Sequence, residues 1–576
     1  MKAFESERSQ WRLKALGLAL LVWALVLAGR LFQLQILRHD RFKAEVVEQN
    51  QNIRTIPARR GTIYDRRGRI LARSLPVQSV FLSPAAKETP DVQRRVVSDL
   101  AGILSLSREE RAKIEARIDK KDRFIWIKRK IDDEAALAVE SLRLPGIFMQ
   151  EEPRRFYPQG RLAAHVLGFV NIDEKGKNGV ENVFNEDLAG RMGRSLILRD
   201  ARRRAYHLEV IERAVPGRDL ELTIDESIQY FAQQALAGAI KAHEASWGTV
   251  IVSYPATGEI LALASFPDFD PNQAAPSPEA ELNRAIAVQF DPGSTFKIVT
   301  AAAALENGAV RAGDRFDCSR GVVPLAGNFV HDHKPFGILS FADVVSHSSN
   351  VGMIQVGTRL ARGEFYDAVK AFGFGAKTGV DLPGEIDGTA HPPSQWAAND
   401  QAYQSIGYGI SVTAIQVLQA VNVIANDGVL VPPRIVRDES RPAGAGARSV
   451  LPAPVARQLR EILRRVVEDG TGTSARIPGY PIAGKTGTTQ KLDETLRRYT
   501  SLRHLASFAG FVDSHPAAFS MIVVIDDPRG DDQYGGLVAA PVFREIAQRI
   551  LRHLRIPPAP AETPVLTVAL AAGGGR

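Results

Sequence analysis

The chain has 576 residues, too many for one ordinary domain and enough for two or three with sizeable cores. With 45% hydrophobic and 24% charged residues it has the balance of a globular protein, which excludes wholesale disorder. The formal charge of +8 suits an anionic lipid or cell-wall surface, or simply a solvated basic surface. The basic clusters Arg202-Arg203-Arg204 and Lys128-Arg129-Lys130 come without a nucleic-acid motif, so no nucleic-acid partner is expected.

Residues 15–29 carry no charge, and the apolar run resumes after Arg30 as Leu31-Phe32-Gln33-Leu34-Gln35-Ile36-Leu37. Together, 15–37 reach the roughly 20 residues that cross a bilayer if Arg30 snorkels to an interface. The rival is a secretory signal, but no small-x-small cleavage site follows the run, so an uncleaved anchor behind a 1–14 tail is predicted. Basic residues flank both ends, which leaves the orientation open. From 45 to 217 the texture is short strands and charged helices. Asp65-Arg66-Arg67-Gly68-Arg69 reads as the turn of a hairpin, with glycine taking positive φ. Residues 91–142 read as amphipathic helix, Ala164–Val170 as a strand, and Asn178-Gly179-Val180-Glu181 as the entry to another helix. None of these carries catalytic chemistry.

Gly217-Arg218-Asp219 marks the boundary of a second domain, 218–556. A strand over Leu220–Thr223 is followed by a helix capped by Asp225 and running to about Lys241, then by a hairpin of Thr249–Ser253 and Glu259–Ala264. Pro292 and Gly293 turn the chain into an Ala-rich buried helix. Ser294 falls in its first turn. Lys297, three residues on, lies on the same face, within reach of the serine hydroxyl. A serine needs a base to become nucleophilic, and a desolvated lysine can serve as one. The first-turn N–H groups would suit a developing oxyanion. Cys318 has no second thiol to pair with, and His331-x-His333 is a loop pair too sparse to predict a metal site. Ser348-Ser349-Asn350 supplies a second hydroxyl and an amide, and helices are expected from there to about 470.

Lys-Thr-Gly occurs twice. Lys377-Thr378-Gly379 sits among glycines and prolines and reads as loop, whereas Lys485-Thr486-Gly487-Thr488 precedes the apolar runs Leu505–Phe511 and Phe519–Ile525 and reads as a sheet-edge strand. Pro541 is expected to start a closing helix to about Leu554, and 557–576 reads as a loose tail. Strands first and last with helices between predict an α+β domain, an antiparallel sheet flanked by helices.

A serine–lysine pair, S-x-N and K-T-G in this order resemble the signature of penicillin-binding proteins and serine β-lactamases. With the anchor and the Arg60, Asp65 and Glu181 positions of a non-catalytic pedestal, the chain resembles a class B penicillin-binding protein over nearly its whole length. Ser348–Met353, Gly407-Tyr408-Gly409, Ile525–Pro528 and Tyr534-Gly535-Gly536 are similar to the cell-division, septal subgroup rather than the elongation one. Ser507 departs from the tryptophan many relatives carry, which should alter strand packing rather than chemistry. The resemblance implies a serine D-Ala-D-Ala transpeptidase that cross-links peptidoglycan stem peptides, is acylated by β-lactams and uses no cofactor. It assigns Ser294, Lys297, Ser348, Asn350 and Lys485 to catalysis, and Thr486, Gly487 and Thr488 to substrate binding, with the N–H groups of Ser294 and Thr488 forming the oxyanion hole. The base itself is argued over in this superfamily. It also implies a salt-bridge role for Arg60, Asp65 and Glu181, a single pass through the inner membrane with the N-terminus cytoplasmic and the catalytic domain periplasmic, and a multi-span membrane glycosyltransferase and divisome proteins as partners. An elongation-type enzyme, a hydrolase of the same superfamily and a penicillin-binding sensor or scaffold without turnover are the rival readings.

Overall fold

The computed structural model describes residues 2–39, 51–83, 89–122, 124–199, 205–273, 276–325, 328–438, 440, 442–493, 498–514, 516–530 and 532–559. The chain divides into two compact units. One comprises Met1–Arg59 and Gly190–Gly217. It holds an N-terminal helix, Lys2–Phe32, continued by a π turn at Gln33–Leu37, within which the 24 residues Lys14–Leu37 are long and apolar enough to cross a membrane. It also holds an antiparallel sheet in which Gly193–Arg199 lies between Gln51–Ile56 and Ala205–Glu212.

The other unit, Arg60–Ala189 with Arg218–Arg576, carries everything described below. Strands β1 (Ile63–Tyr64) and β2 (Ile70–Leu82) form the expected hairpin, with Gly68 at φ 78°. The Asp65 carboxylate closes it by accepting from the N–H groups of Arg67 and Arg69 at 2.8 Å each. The region read as continuous helix is three helices, α1 (Pro90–Ile103), α2 (Arg108–Asp119) and α3 (Asp133–Ser141), interrupted by strand β3 (Ile125–Ile131). Ile125, Ile127 and Ile131 bury against Val97, Leu100 and Ile118, while Trp126 and Lys128 face outward. That period-two alternation was hidden among charged side chains. Strand β4 (Ile147–Phe156) pairs β2 on the side away from β3. The predicted strand at 164–170 is instead a helical turn, Ala164–Leu167, ended by Gly168 at φ 75°, and Val170 makes only an isolated bridge to Gly176. A short apolar run cannot by itself separate a buried helical turn from a strand.

Arg60 and Glu181 form the expected buried ion pair, joined by Arg155, whereas Asp65 pairs separately with Arg69 at 3.5 Å. Glu181, fully buried, receives Arg60 Nη2 and Arg155 Nε on opposite carboxylate oxygens at 2.6 Å each. Arg155 also donates to the Gly61 carbonyl at 2.7 Å.

Strand β5 (Leu220–Leu222) adds to β1 in parallel. Helix α4 (Glu226–Ala242) starts at Asp225, whose side chain accepts from the N–H groups of Ser227 and Ile228. Strands β6 (Trp247–Ser253), β7 (Ile260–Phe266), β8 (Ile482–Asp493), β9 (Arg498–Val512) and β10 (Ser520–Asp526) build an antiparallel sheet in the order β7-β6-β10-β9-β8. Both faces are covered, so β6, β7 and β10 are apolar at nearly every position. Val250, Val252, Met521 and Val523 pack toward α4 and the closing helix α10 (Gly535–His553), whereas Ile251, Ile522 and Val524 point into the larger helical core. That core includes α5 (Lys297–Glu306), α6 (Phe341–Ser346), α7 (Asn350–Gly357), α8 (Ala414–Ala425) and α9 (Ala453–Glu468). Helix α10 does not begin at Pro541. It begins at Gly535 and holds that proline inside its second turn. Of the expected loose tail, 560–576 lie outside the described residues.

Candidate active site

Ser294 stands in a single 3-10 turn, Gly293–Phe296, rather than in the first turn of an α-helix, and α5 continues directly from it. Tight packing of backbone on backbone accounts for the turn. Gly293 has φ 53°, and a Cβ there would meet Thr489 Oγ1 at 2.4 Å. Its N–H donates to the Gly407 carbonyl at 3.0 Å, and a Cβ on Gly407 would lie 2.1 Å from the Gly293 oxygen. Two glycines therefore let two chain segments touch where no side chain fits. Thr295 Oγ1 donates to the Pro292 carbonyl at 2.8 Å, and the buried Phe296 packs edge-on to Phe374.

Lys297 is fully buried. Its ammonium nitrogen donates to the Ser348 carbonyl and to Asn350 Oδ1 at 2.7 Å each, and to Ser348 Oγ at 3.3 Å. It does not bond the Ser294 hydroxyl directly, as the spacing had suggested. Ser348 stands between them, donating to Ser294 Oγ at 3.0 Å. Lys485, equally buried on β8, also donates to Ser348 Oγ, at 2.9 Å, and to the Thr486 carbonyl at 3.2 Å. One hydroxyl thus touches both amines and Ser294. Ser348 holds this place with φ 61°, a left-handed conformation that costs a non-glycine residue of order 1–3 kcal/mol.

Burial pushes Lys297 down to about 7, with Asp332 acting in the opposite direction. Burial, then the charge of Lys297, pushes Lys485 well below the usual lysine value. Two ammonium groups sharing one buried hydroxyl repel each other, which together with burial favours the neutral form of one amine. A neutral amine there can take the Ser348 proton while Ser348 takes that of Ser294.

Asp332 was missed by sequence reasoning, which weighed only its histidine neighbours. Its carboxylate accepts from Ser349 Oγ at 2.7 Å and from the N–H groups of Asn350 and Val351, the open end of α7. The His331 carbonyl, not its ring, takes the Asn350 amide at 2.8 Å. No local pattern announced this, because 18 residues separate Asp332 from Asn350. Among the described residues no cluster of three metal-ligating side chains occurs.

The remaining predicted residues lie on β8. Thr486 Oγ1 meets Thr471 Oγ1 at 2.7 Å, and Thr488 Oγ1 accepts from the first N–H of α10, that of Gly535, at 2.9 Å. A Cβ on Gly487 would strike Ser507 Oγ at 2.4 Å and Thr295 at 3.0 Å, so only glycine lets β8 pass beside the serine turn. The other Lys-Thr-Gly lies apart from this cluster: Thr378 and Gly379 bond Glu385, and the Lys377 N–H bonds Asp387.

Comparison with known proteins bears on the family of the chain. The profile of the penicillin binding protein transpeptidase domain matches residues 248–548, and that of the penicillin-binding protein dimerisation domain matches 55–222. The chain is 33% identical over 561 residues to the probable peptidoglycan D,D-transpeptidase PenA of Neisseria gonorrhoeae, covering 96% of this chain and 94% of that protein. It is 32% identical over 558 residues to the peptidoglycan D,D-transpeptidase FtsI of Escherichia coli K12, covering 95% and 92%. Among solved structures, penicillin binding protein 3 of Mycobacterium tuberculosis in complex with aztreonam superposes with TM-score 0.67 at 29% identity, covering 88% of this chain and 98% of that one.

Proposed function

The chain belongs to the peptidoglycan D,D-transpeptidases of the penicillin-binding protein family, and on that premise we propose that Ser294 is the nucleophile of its acyl transfer. Ser294 Oγ attacks the penultimate carbonyl of a D-alanyl-D-alanine stem peptide. Its proton passes to Ser348 Oγ as the Ser348 proton moves to the neutral amine of Lys297. Collapse of the tetrahedral intermediate returns a proton to the leaving nitrogen and frees D-alanine. An amine of a neighbouring stem peptide then displaces the serine and forms the cross-link. Lys485 and Thr486 hold the terminal carboxylate, Asn350 positions the peptide, and the N–H groups of Ser294 and Thr488 bind the oxyanion across the gap that Gly487 keeps open. β-Lactams acylate the same oxygen.

The observation that carries this reading is the Ser348 hydroxyl, bonded at once to Ser294, Lys297 and Lys485. The test is covalent labelling by a fluorescent penicillin with mass mapping of the adduct. Ser294→Ala should abolish it, and an adduct on any other residue would sink the assignment. A long-lived adduct marks a transpeptidase, whereas rapid turnover would mark a β-lactamase.

In the cell, the chain is anchored by Lys14–Leu37 in the cytoplasmic membrane, N-terminus inside and catalytic domain outside. It works at the septum, with a multi-span membrane glycosyltransferase and division proteins, in keeping with the motifs shared with the septal subgroup. Localisation of a tagged copy to the side wall rather than the division site would assign it to elongation instead.

A further inference from the structure

One feature of the cleft rim is not used by the acyl-transfer relay. The hairpin of Val322–Leu325 and Asn328–His331 delivers residues 332–336 against the Ser348–Val351 segment. This short loop is tied down at both ends: the Asp332 N–H donates to the Gly321 carbonyl at 2.9 Å, and that of Phe336 to the Cys318 carbonyl at 3.3 Å. Pro335 packs on Gly321, where a Cβ would approach it to 3.2 Å.

The side chains it presents are cationic and aromatic. Phe336 stacks on His347, the residue before Ser348, with ring centres 5.6 Å apart and planes 9° from parallel. His333 meets the same ring edge-on at 4.9 Å, and Lys334 Nζ lies 5.6 Å from its centre. His331, His333 and Lys334 are exposed. Asp332, the one carboxylate in the loop, is committed to Ser349 and the start of α7. Among the described residues no carboxylate pairs with Lys334. An exposed lysine is usually just a solvated charge, but this one is set over a ring fixed beside the catalytic amide and lacks a counter-ion.

Resting on the reading of Ser294 as nucleophile, we infer that Lys334, His333 and the Phe336–His347 stack form a wall beside Asn350 that selects donor stem peptides bearing a free carboxylate upstream of the scissile bond. The terminal carboxylate is held elsewhere, by Lys485 and Thr486, so the wall reads a second anionic group. The wall lies within electrostatic reach of the buried relay: burial first, then Lys334, His347 and Lys297, lower the His333 pKa, with Asp332 opposing. The charged form of His333 is thereby disfavoured, which leaves Lys334 as the principal fixed charge.

The test uses the full chain and a matched pair of penicillins whose acyl side chains differ only in a carboxylate or its carboxamide. The ratio of their acylation rates is the readout. The wild type should favour the carboxylate, and raising salt from about 0.05 M to about 0.5 M should compress that preference. Lys334→Gln should lower the ratio roughly threefold and Lys334→Glu roughly tenfold, as expected for a partly exposed charge pair. Lys377→Gln, which removes the same charge from a distant loop, should leave the ratio where it was. Acylation of Ser294 by both probes with an unchanged ratio in Lys334→Glu overturns the inference alone. Acylation by neither probe overturns the serine reading and the inference with it.

Discussion

Two of the places that bury cationic side chains among the described residues do so in opposite ways. In the pedestal, Arg60 and Arg155 close on the two oxygens of Glu181 at 2.6 Å each. In the cleft, Lys297 and Lys485 bury against carbonyls, an amide and a hydroxyl, with no carboxylate among the described residues in contact. Desolvation penalises a charge in both places. In the first it is met by a counter-charge, and the result is a rigid junction. In the second it is met by a lowered pKa, and the result is an amine that releases its proton more readily. The same physics therefore yields a strut or a low-pKa amine depending on whether a carboxylate is supplied.

That contrast is easily broken on one side. Glu181→Gln leaves two buried guanidinium groups facing a neutral amide, and the expected loss is about 3–5 kcal/mol, read from urea unfolding. A loss below about 1 kcal/mol would show that the trio is not the strut described. Lys297→Met should behave oppositely. Acylation should fall by about 10²–10⁴, while thermal stability holds or rises because a buried cation is gone. Stopped-flow labelling and a melting curve on the same sample separate the two effects.

The proton itself can be followed. Only neutral Lys297 accepts one, so the acylation rate should climb as pH rises through about 7. The folded-state pKa lies below the ordinary lysine value of 10.5, so the unfolded chain binds more protons between the two. The burial penalty is thus fully present below about 7 and fades as pH rises toward 10.5. Asp332→Asn gives the smallest and most specific effect. Its charge raises the Lys297 pKa, so removing it should move the midpoint of the rate profile to lower pH. Stability should change little, since an amide oxygen still accepts from the first N–H groups of α7. A midpoint that stays put would remove Asp332 from the electrostatics of the site.

Much of this was legible because chemistry and local backbone coincide in sequence. Ser294 and Lys297 are three residues apart, Asp225 sits next to the N–H groups it caps, and the runs of β6, β9 and β10 are apolar enough to announce buried strands. What escaped reading depends on contacts between distant segments. Asp332 matters only because a hairpin folds it onto α7, and Arg155 only because β4 brings it to Glu181. The direct Lys297–Ser294 contact failed for a related reason. Helical spacing says which side chains share a face, but not that Ser348, from another element, would take the space between them. Ser507 remains without an account: it is buried opposite Gly487, its hydroxyl has no partner among the described residues, and nothing in the structure explains the choice of serine.

Among the described residues the sheet ends on β8, which pairs with β9 and passes beside the serine turn. Sheet edges invite zippering between molecules, a hazard heightened for proteins crowded on one surface, and inward-pointing charge is a common defence. Lys485 points an amine inward from the middle of the strand, although burial and Lys297 disfavour its charged form. If it guards the edge, sedimentation of Lys485→Leu should reveal concentration-dependent dimers that the parent chain does not form. The amine that tunes proton transfer would then also keep neighbouring copies apart, leaving the border open to an incoming peptide.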